Sequence, residues 1–349
     1  MTETLAGRFQ VRPASPVIGA EIEGVDLTQH VDEATADALR EAFWTYKVLV
    51  FRGQNLSPLQ HVAAVRIFDE PFDHPLWTKR HPNSRLVYTF SYERGTADRW
   101  HIGGTWRNPP FNIESLTYQV VPEIGGHTLW ADLQAAYDGL SQPVQELLES
   151  ISAVYSAYPG DGTGNRPPVT ETIEQPVVRA HRHTGRKGLS ISTGALRLTG
   201  VTETESAALL PFLLAHASSP NYTVSFGWKP GDFVLWDNLA TWHYAVNDYD
   251  GPGCTARSSA ASTLNAGARS MSRVCRSPSS SGHPCGSSGR LHATGIARQL
   301  IVYFFSLISY KRVGSSREHE SAAGPDRRHR GHPGPGLGNR RPPSRAFRA

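Results

Sequence analysis

Three segments of the 349-residue chain combine histidine, threonine or aspartate with tryptophan and small residues. They are Arg99–Trp106, Gly125–Asp132 and Gly231–Ala245. Imidazole nitrogens can bind a metal ion or move a proton, and a hydroxyl group can donate a hydrogen bond to a carboxylate. The chain contains 15 histidines, so ordinary structural histidines are the competing explanation until the surrounding pattern is considered.

The three segments, in this order and at this spacing, resemble the TauD/TfdA family of Fe(II)- and 2-oxoglutarate-dependent dioxygenases. The resemblance extends from about Phe9 to Tyr249, and two further stretches, Leu56–His61 and Pro176–Lys187, support it. It implies a mainly β fold with helices, built on a double-stranded β-helix (a cupin-like jelly-roll core). It also implies an oxidoreductase that uses Fe(II) and 2-oxoglutarate to hydroxylate an unactivated C–H bond of a small molecule.

The iron site of the family is a facial triad of a His, an acid two residues later and a distal His. The resemblance assigns His101 to the first position and His243 to the distal position. The acid is missing, because the sequence reads His101-Ile102-Gly103 and glycine has no side chain that can bind iron. Residues i and i+2 of a strand face the same side, so Gly103 is predicted to leave that ligand position vacant.

Three interpretations of the missing acid stay open. The leading one is a hydroxylating dioxygenase of the family. The alternatives are a non-haem iron halogenase, in which chloride binds iron at the Gly103 position, and an inactive scaffold. Asp98 is a poor substitute, because a residue three positions before His101 faces the other side of a strand. The change Gly103→Asp is therefore expected to raise the affinity for iron, since it adds an anionic ligand.

The cosubstrate and substrate positions follow from the same resemblance. Thr128 matches the threonine that binds 2-oxoglutarate in the family. The family also has an arginine for the far carboxylate, but Arg257, which lies in the expected stretch, is in a sequence that does not predict a strand. The segment Phe72–Trp77 matches a substrate loop of the family, so His74 and Trp77 are predicted to face the substrate.

Charge is divided unevenly along the chain, although the net charge is only +4. Residues 251–349 hold 16 Lys and Arg against 3 Asp and Glu, whereas residues 1–250 have a net charge of −9. All three cysteines lie beyond residue 250, so the first part has no disulfide and is typical of a cytoplasmic protein. We predict a dioxygenase-like domain at 1–250, with incomplete final strands, and a basic low-complexity tail at 251–349.

The tail is rich in Gly, Pro, Ser and Arg and has little apolar periodicity, which predicts disorder. A nucleic-acid-binding arm is less favoured, because aromatic residues for base stacking are not interleaved with the basic ones. A third explanation is a change of reading frame. With suitable codons, a one-base shift near Gly251 converts this stretch to Arg-Val-His-Arg-Lys, a strand of the family's type, and resequencing the gene there tests it.

The composition excludes several classes of protein. With 39% hydrophobic and 19% charged residues, the chain is neither collagen-like nor a coiled coil. Its longest apolar run, Leu300–Ile308, is half the roughly 20 residues of a membrane-spanning helix, and the N-terminus lacks a secretion signal. The predicted partner is a small molecule, with no nucleic acid and no membrane, and a homo-oligomer is left open.

The elements that position these residues can be placed from periodicity and caps. Apolar residues at helical spacing predict a helix over Glu33–Tyr46 with Asp32 as its N-cap, and capping boxes predict helices after Ser57 and Thr202. Many short strands with helices between them favour a jelly roll. The main predicted strands are Lys47–Arg52, Leu86–Phe90, Ile113–Val121, His127–Ala131, Tyr222–Phe226 and Asp232–Trp236.

Overall fold

The computed structural model describes residues 3–5, 7–73, 80–91, 97–157, 171–249, 255–261 and 275–276. Of residues 3–5, 90–91, 255–261 and 275–276 only the backbone is described. All of them belong to one compact unit, Met1–Ala297, and the second unit, Arg298–Ala349, lies outside the described residues. Within this part of the chain, no helix is long and apolar enough to cross a bilayer.

Strands and helices follow one another in an order that begins with strands and inserts the helices between them. The strands are Glu3–Leu5 (β1), Phe9–Pro13 (β2), Ala20–Glu23 (β3), Val48–Phe51 (β4), Arg80–His81 (β5), Ser84–Ser91 (β6), Ile113–Val120 (β7), Thr128–Asp132 (β8), Ser152–Ser156 (β9), Glu171–Pro176 (β10), Val178–Ala180 (β11), Lys187–Leu189 (β12), Arg197–Thr199 (β13), Thr223–Phe226 (β14), Phe233–Asp237 (β15), Thr241–Ala245 (β16), Thr255–Ala261 (β17) and Cys275–Arg276 (β18). The helices are Glu33–Tyr46 (α1), Pro58–Arg66 (α2), Leu133–Asp138 (α3), Gln142–Glu149 (α4) and Glu203–Ala217 (α5).

Two antiparallel sheets carry the residues of interest. The larger has nine strands in the order β1-β2-β3-β4-β15-β7-β17-β6-β5, in which only the β3–β4 pairing is parallel. The smaller has three strands in the order β14-β8-β16. Two further groups of strands, β13-β9-β10-β18 and β11-β12, complete the described sheets.

Apolar residues cover both faces of the nine-stranded sheet. On β4, Val48 and Val50 belong to one core cluster and Leu49 and Phe51 to the other, as the alternation of side chains along a strand requires. The first cluster includes Trp130 of β8 and so lies between the two sheets, while the second packs against α1 and α2. The architecture is the double-stranded β-helix predicted from the sequence, with helices on its outer face.

Helix boundaries agree closely with the sequence patterns. The side chain of Asp32 accepts a hydrogen bond from the backbone of Thr35 and caps α1, and capping boxes begin α2 at Ser57 and α5 at Thr202. A capping side chain satisfies backbone N–H groups that have no partner within the helix. These local signals explain why the three helices begin where the sequence predicts.

A buried ion pair fixes the end of α1 to the start of α3. Lys47 ends α1 in the left-handed conformation, and its Nζ lies 3.0 Å from Oδ2 of Asp132, with side-chain exposures of 3% and 2%. The other oxygen of Asp132 accepts from the backbone N–H groups of Gln134 and Ala135 and caps α3. The two charges compensate each other in a place that water does not reach.

The expectation that the stretch around Arg257 would not form a strand was wrong. Strand β17, Thr255–Ala261, lies inside the nine-stranded sheet and pairs with both β6 and β7. Its backbone partners are fixed in register, with Arg257 opposite Thr117 and Ala260 opposite Glu114. Small residues such as those of β17 carry little strand propensity, so the pairing follows from the open slot between two existing strands.

Candidate active site

His101 and His243 are brought together by the backbone. Each donates its backbone N–H to the carbonyl of the other at 3.1 Å, which makes a two-residue antiparallel bridge, and the imidazole centroids lie 3.9 Å apart. His243 is on β16, a strand that the sequence analysis did not predict, and pairs with Trp130 of β8. The two candidate ligands thus meet across 142 residues of sequence, as the resemblance requires.

Hydrogen bonding fixes which nitrogen of His101 is available but does not fix it for His243. Nδ1 of His101 donates to the carbonyl of Arg99 at 2.7 Å, so the lone pair of this ring is on Nε2. Nδ1 of His243 is buried and makes no hydrogen bond with any described residue. Burial lowers the pKa of His101 and, together with the neighbouring His101 ring, lowers the pKa of His243 well below its usual value. Both rings are neutral near pH 7, which is the form that binds a metal.

Gly103 does not lie on a strand, contrary to the reasoning from residues i and i+2. His101 makes only the isolated bridge, and a turn begins at Gly103. The fully buried side chain of Asn238 holds this turn, because it accepts from the N–H of Gly103 at 2.7 Å and donates to its carbonyl at 2.9 Å. The same amide also donates to the carbonyl of Phe111 at 2.9 Å. The backbone at Gly103 is therefore fixed on both sides.

The space beside Gly103, which was predicted to be vacant, is filled by the side chain of Glu114. A Cβ atom added to Gly103 would lie 2.5 Å from both Cδ and Oε2 of Glu114 and closer still to Oε1. Glu114 is on β7 and is 6% exposed, and its Oε2 lies 3.8 Å from Nε2 of His243. The Glu114 carboxylate thus fills the space beside Gly103 and lies near the His243 ring.

Burial shapes the protonation of Glu114. It raises the pKa of Glu114 to about 8, against a smaller opposing effect of the Trp236 indole. A carboxylate resists ionisation in a dry environment unless a cation or hydrogen-bond donors compensate its charge. The sequence contained a signal of this residue, because Glu114 is an acid in an otherwise apolar and small run, Ile113–Leu116, that all becomes buried. The resemblance places the acid two residues after His101, so Glu114 was not predicted.

Thr128 lies on β8 and pairs with Ala245 of β16, the strand that also carries His243. Its hydroxyl is 3.1 Å from the hydroxyl of Tyr118 and accepts from Nε1 of Trp228 at 3.0 Å. The rings of Tyr118 and Trp228 stack at 4.4 Å, so the hydroxyl is held by two rigid aromatic side chains. A hydroxyl that accepts from Trp228 and from Tyr118 can still donate its own hydrogen to a carboxylate.

The remaining predicted site residues are not placed by the structure. His74 and Trp77 lie outside the described residues, and the side chain of Arg257 is not described. Arg107 is an unpredicted candidate for the site. Its guanidinium lies over the rings of Phe72 and Phe111 at 5.5 and 5.3 Å, and burial lowers its pKa. Among the described residues it has no carboxylate partner.

The chemical types of the side chains at this site suit a divalent metal ion. It has two neutral imidazoles with available nitrogens and an adjacent carboxylate, which is the 2-His-1-carboxylate composition that binds Fe(II) in non-haem oxygenases. Across the described residues, no group of three His, Cys, Asp or Glu side chains could hold a metal ion in the geometry present. The chemical types of the ligands are therefore present, but metal binding would require the side chains to rotate toward one another.

A double-stranded β-helix that joins two histidines beside a buried carboxylate defines a class of metal-dependent oxygenases. The chain matches the family described as "Taurine catabolism dioxygenase TauD, TfdA family" over residues 10–259, which extends past residue 250 into β17. The chain belongs to the TauD/TfdA family of alpha-ketoglutarate-dependent dioxygenases. As a member, it is an oxidoreductase of a family that uses Fe(II) and 2-oxoglutarate (alpha-ketoglutarate).

Known relatives agree with this assignment. The chain is 32% identical to an alkylsulfatase of Acinetobacter baylyi, over 69% of this chain and 81% of that one. It is 33% identical to an alpha-ketoglutarate-dependent sulfate ester dioxygenase of Pseudomonas putida, over 69% and 85%. A crystal structure of a taurine dioxygenase from Burkholderia xenovorans is 34% identical, with a TM-score of 0.64, and covers 73% of this chain and 90% of that chain.

Proposed function

We propose that the protein hydroxylates a C–H bond of a small molecule, with His101 and His243 as iron ligands and Thr128 at the 2-oxoglutarate site. The observation that carries this proposal is the His101–His243 bridge, with its ring centroids 3.9 Å apart. When bound, iron, 2-oxoglutarate and O₂ together supply an oxidant that replaces a C–H hydrogen by hydroxyl, with succinate and CO₂ as coproducts. The rest of the chemistry depends on how the chain positions the reactants.

The chain's own residues orient and shield the site. The Arg99 carbonyl fixes the tautomer of His101, and Asn238 holds the turn that follows it. Trp236 lies 4.9 Å from the His243 ring and, with other buried aromatic residues, keeps water from the inner side. A dry, rigid site strengthens the interactions that hold the reactants and limits side reactions.

We propose a small organic anion as the substrate class. The relatives named above include enzymes described as acting on sulfate esters and taurine, and another, 29% identical over 66% of this chain, is a 2,4-dichlorophenoxyacetate dioxygenase of Cupriavidus pinatubonensis. Arg107, which follows the Gly103 turn and has no described carboxylate partner, is the candidate contact for an anionic group. Alkyl sulfates, sulfonates and phenoxyalkanoates form the first set to assay for 2-oxoglutarate turnover.

The space beside Gly103 does not favour chlorination, because a halide there would need the volume that the Glu114 side chain fills. The inactive-scaffold alternative is separated from an enzyme by the experiment that follows.

The proposed function is tested by anaerobic addition of Fe(II) and 2-oxoglutarate to the full-length protein. We expect the visible charge-transfer band of the iron–oxoglutarate chelate in the wild type and its loss in His243→Gln. His127→Gln is the matched control, because His127 contacts Ser225 at 2.9 Å on the exposed side of the small sheet. The absence of the band from the wild type would identify an inactive scaffold.

Replacing Thr128 by valine is expected to weaken 2-oxoglutarate binding about tenfold, because one hydrogen bond to a charged group contributes roughly 1.4 kcal/mol. The change keeps the shape of the side chain and removes only the hydroxyl. Thr117→Val is the matched control, since Thr117 is a buried strand threonine whose hydroxyl contacts His61 at 2.8 Å. The dissociation constant is measured by the same anaerobic titration, and equal values for both variants would exclude Thr128 from the cosubstrate site.

A further inference from the structure

We propose that Glu114 is the third protein ligand of the iron, so that a carboxylate from β7 replaces the acid that the His101-Ile102-Gly103 segment lacks. The inference rests on the proposed function, because it concerns the same metal site. Under this proposal, Gly103 is the residue that leaves space for the Glu114 side chain.

The position of the Glu114 carboxylate carries the proposal. An acid at position 103 would begin at a Cβ that lies 2.5 Å from Cδ and Oε2 of Glu114. The carboxyl carbon of an aspartate is one C–C bond, about 1.5 Å, beyond its Cβ. The Cδ of Glu114 therefore lies between about 1 and 4 Å from the place that the missing carboxyl carbon would take, although Glu114 is on β7.

The surroundings of Gly103 explain why glycine suits this position. Its φ is not in the left-handed region, so the conformation itself would accept any residue. Asn238 bonds both the N–H and the carbonyl of Gly103, so the backbone cannot retreat from Glu114. Any side chain at position 103 must therefore displace the flexible end of Glu114, which makes Gly103 and Glu114 a matched pair.

The reach of Glu114 is suited to a metal shared with His243. Two ligand atoms, each about 2.1 Å from one ion, are roughly 3.0 to 3.4 Å apart at angles between octahedral and tetrahedral values. Oε2 of Glu114 and Nε2 of His243 are 3.8 Å apart, so a small side-chain rotation brings both onto one ion. The described side chains are not already grouped as ligands, and the rotation is the change that binding requires.

The buried position of Glu114 suits a carboxylate whose charge is compensated by a bound cation. Its carboxylate is nearly excluded from water between Trp236 and His243, and no Lys or Arg forms a described ion pair with it. Uncompensated buried charge is costly, and proteins keep such groups where they bind metals or ions. A divalent cation held jointly with two neutral imidazoles supplies the compensation.

The test measures metal binding directly in full-length Glu114→Gln. Apo-protein is titrated with Co(II) under inert gas, and affinity is read from the visible absorption of the ion and from calorimetry, without turnover. We expect Co(II) affinity to fall at least about 100-fold. Glutamine keeps the size of the side chain and resembles the neutral, protonated acid, so the Tm of the apo-protein is expected to stay about the same.

Two further variants make each outcome decisive. Glu149→Gln is the matched control, because Glu149 is a surface carboxylate that pairs with Lys187 at 2.7 Å, and it is expected to bind Co(II) as the wild type does. Wild-type affinity in Glu114→Gln together with lost affinity in His243→Gln would overturn the role of Glu114 and leave the proposed function intact. A wild type that does not bind Co(II) at all would overturn both. A lower apo Tm with unchanged affinity would show that Glu114 has only a structural role.

Discussion

The variant Gly103→Asp is expected to lose stability, on the order of 3 kcal/mol, and to bind Co(II) no more tightly than the wild type. The new carboxylate would enter the space of the Glu114 carboxylate, and two buried acids so close together cannot both be ionised. Urea denaturation of the apo-protein and Co(II) titration measure the two effects. This result is the opposite of the gain in iron affinity that the sequence predicts.

A compensating change separates this explanation from simple misfolding. In Gly103→Asp/Glu114→Ser the acid moves to position 103 and the competing carboxylate is gone, so both stability and Co(II) affinity are expected to recover. Gly103→Ala is the steric control, in which a methyl group displaces the flexible end of Glu114 without a second charge. A single Gly103→Asp variant that gains affinity at no cost in stability would mean that Glu114 does not occupy this space in solution.

The second large effect is expected for Lys47→Met, which should lower the free energy of unfolding by about 3 to 5 kcal/mol. Lys47 and Asp132 are both almost inaccessible to water, and removing the lysine leaves the carboxylate buried without its cation. A loss of this size is a large fraction of the 5 to 15 kcal/mol that stabilise a typical domain. Chemical denaturation followed by tryptophan fluorescence measures it.

The matched control for this prediction is Lys187→Met. Lys187 pairs with Glu149 at 2.7 Å, but both side chains are well exposed, and such pairs contribute only about 0 to 1 kcal/mol. Lys47→Met/Asp132→Asn should recover most of the loss, because the amide keeps the cap of α3 without a charge. Equal effects of Lys47→Met and Lys187→Met would contradict the importance of burial at the first pair.

Local patterns in the sequence were sufficient for much of the fold. The helix at Glu33–Tyr46 and the boxes at Ser57 and Thr202 were predicted because their start signals act within a few residues. The strands with apolar alternation were found for the same reason. Strand β17 was missed because its small residues carry no such pattern, and its place depends on β6 and β7, which are distant in sequence.

The residues of the candidate site were likewise predicted only in part. The histidines at 101 and 243 were predicted because family segments surround them, and the structure brings them together. Glu114 was missed because its relation to Gly103 exists only in three dimensions, where two segments approach without sharing a pattern. The expected vacancy at Gly103 was inferred from a strand that turns out to be a bridge followed by a turn.

The place of β17 has a consequence for how the protein is made. Strands β6 and β7 are synthesised early, yet the strand that joins them is Thr255–Ala261, whose last residue pairs with Ile113. While the nascent chain is still shorter than this, two inner strands have open backbone edges, which attract other chains. The sheet can close only after Thr255–Ala261 has been synthesised, which is later than in a sheet built from consecutive hairpins.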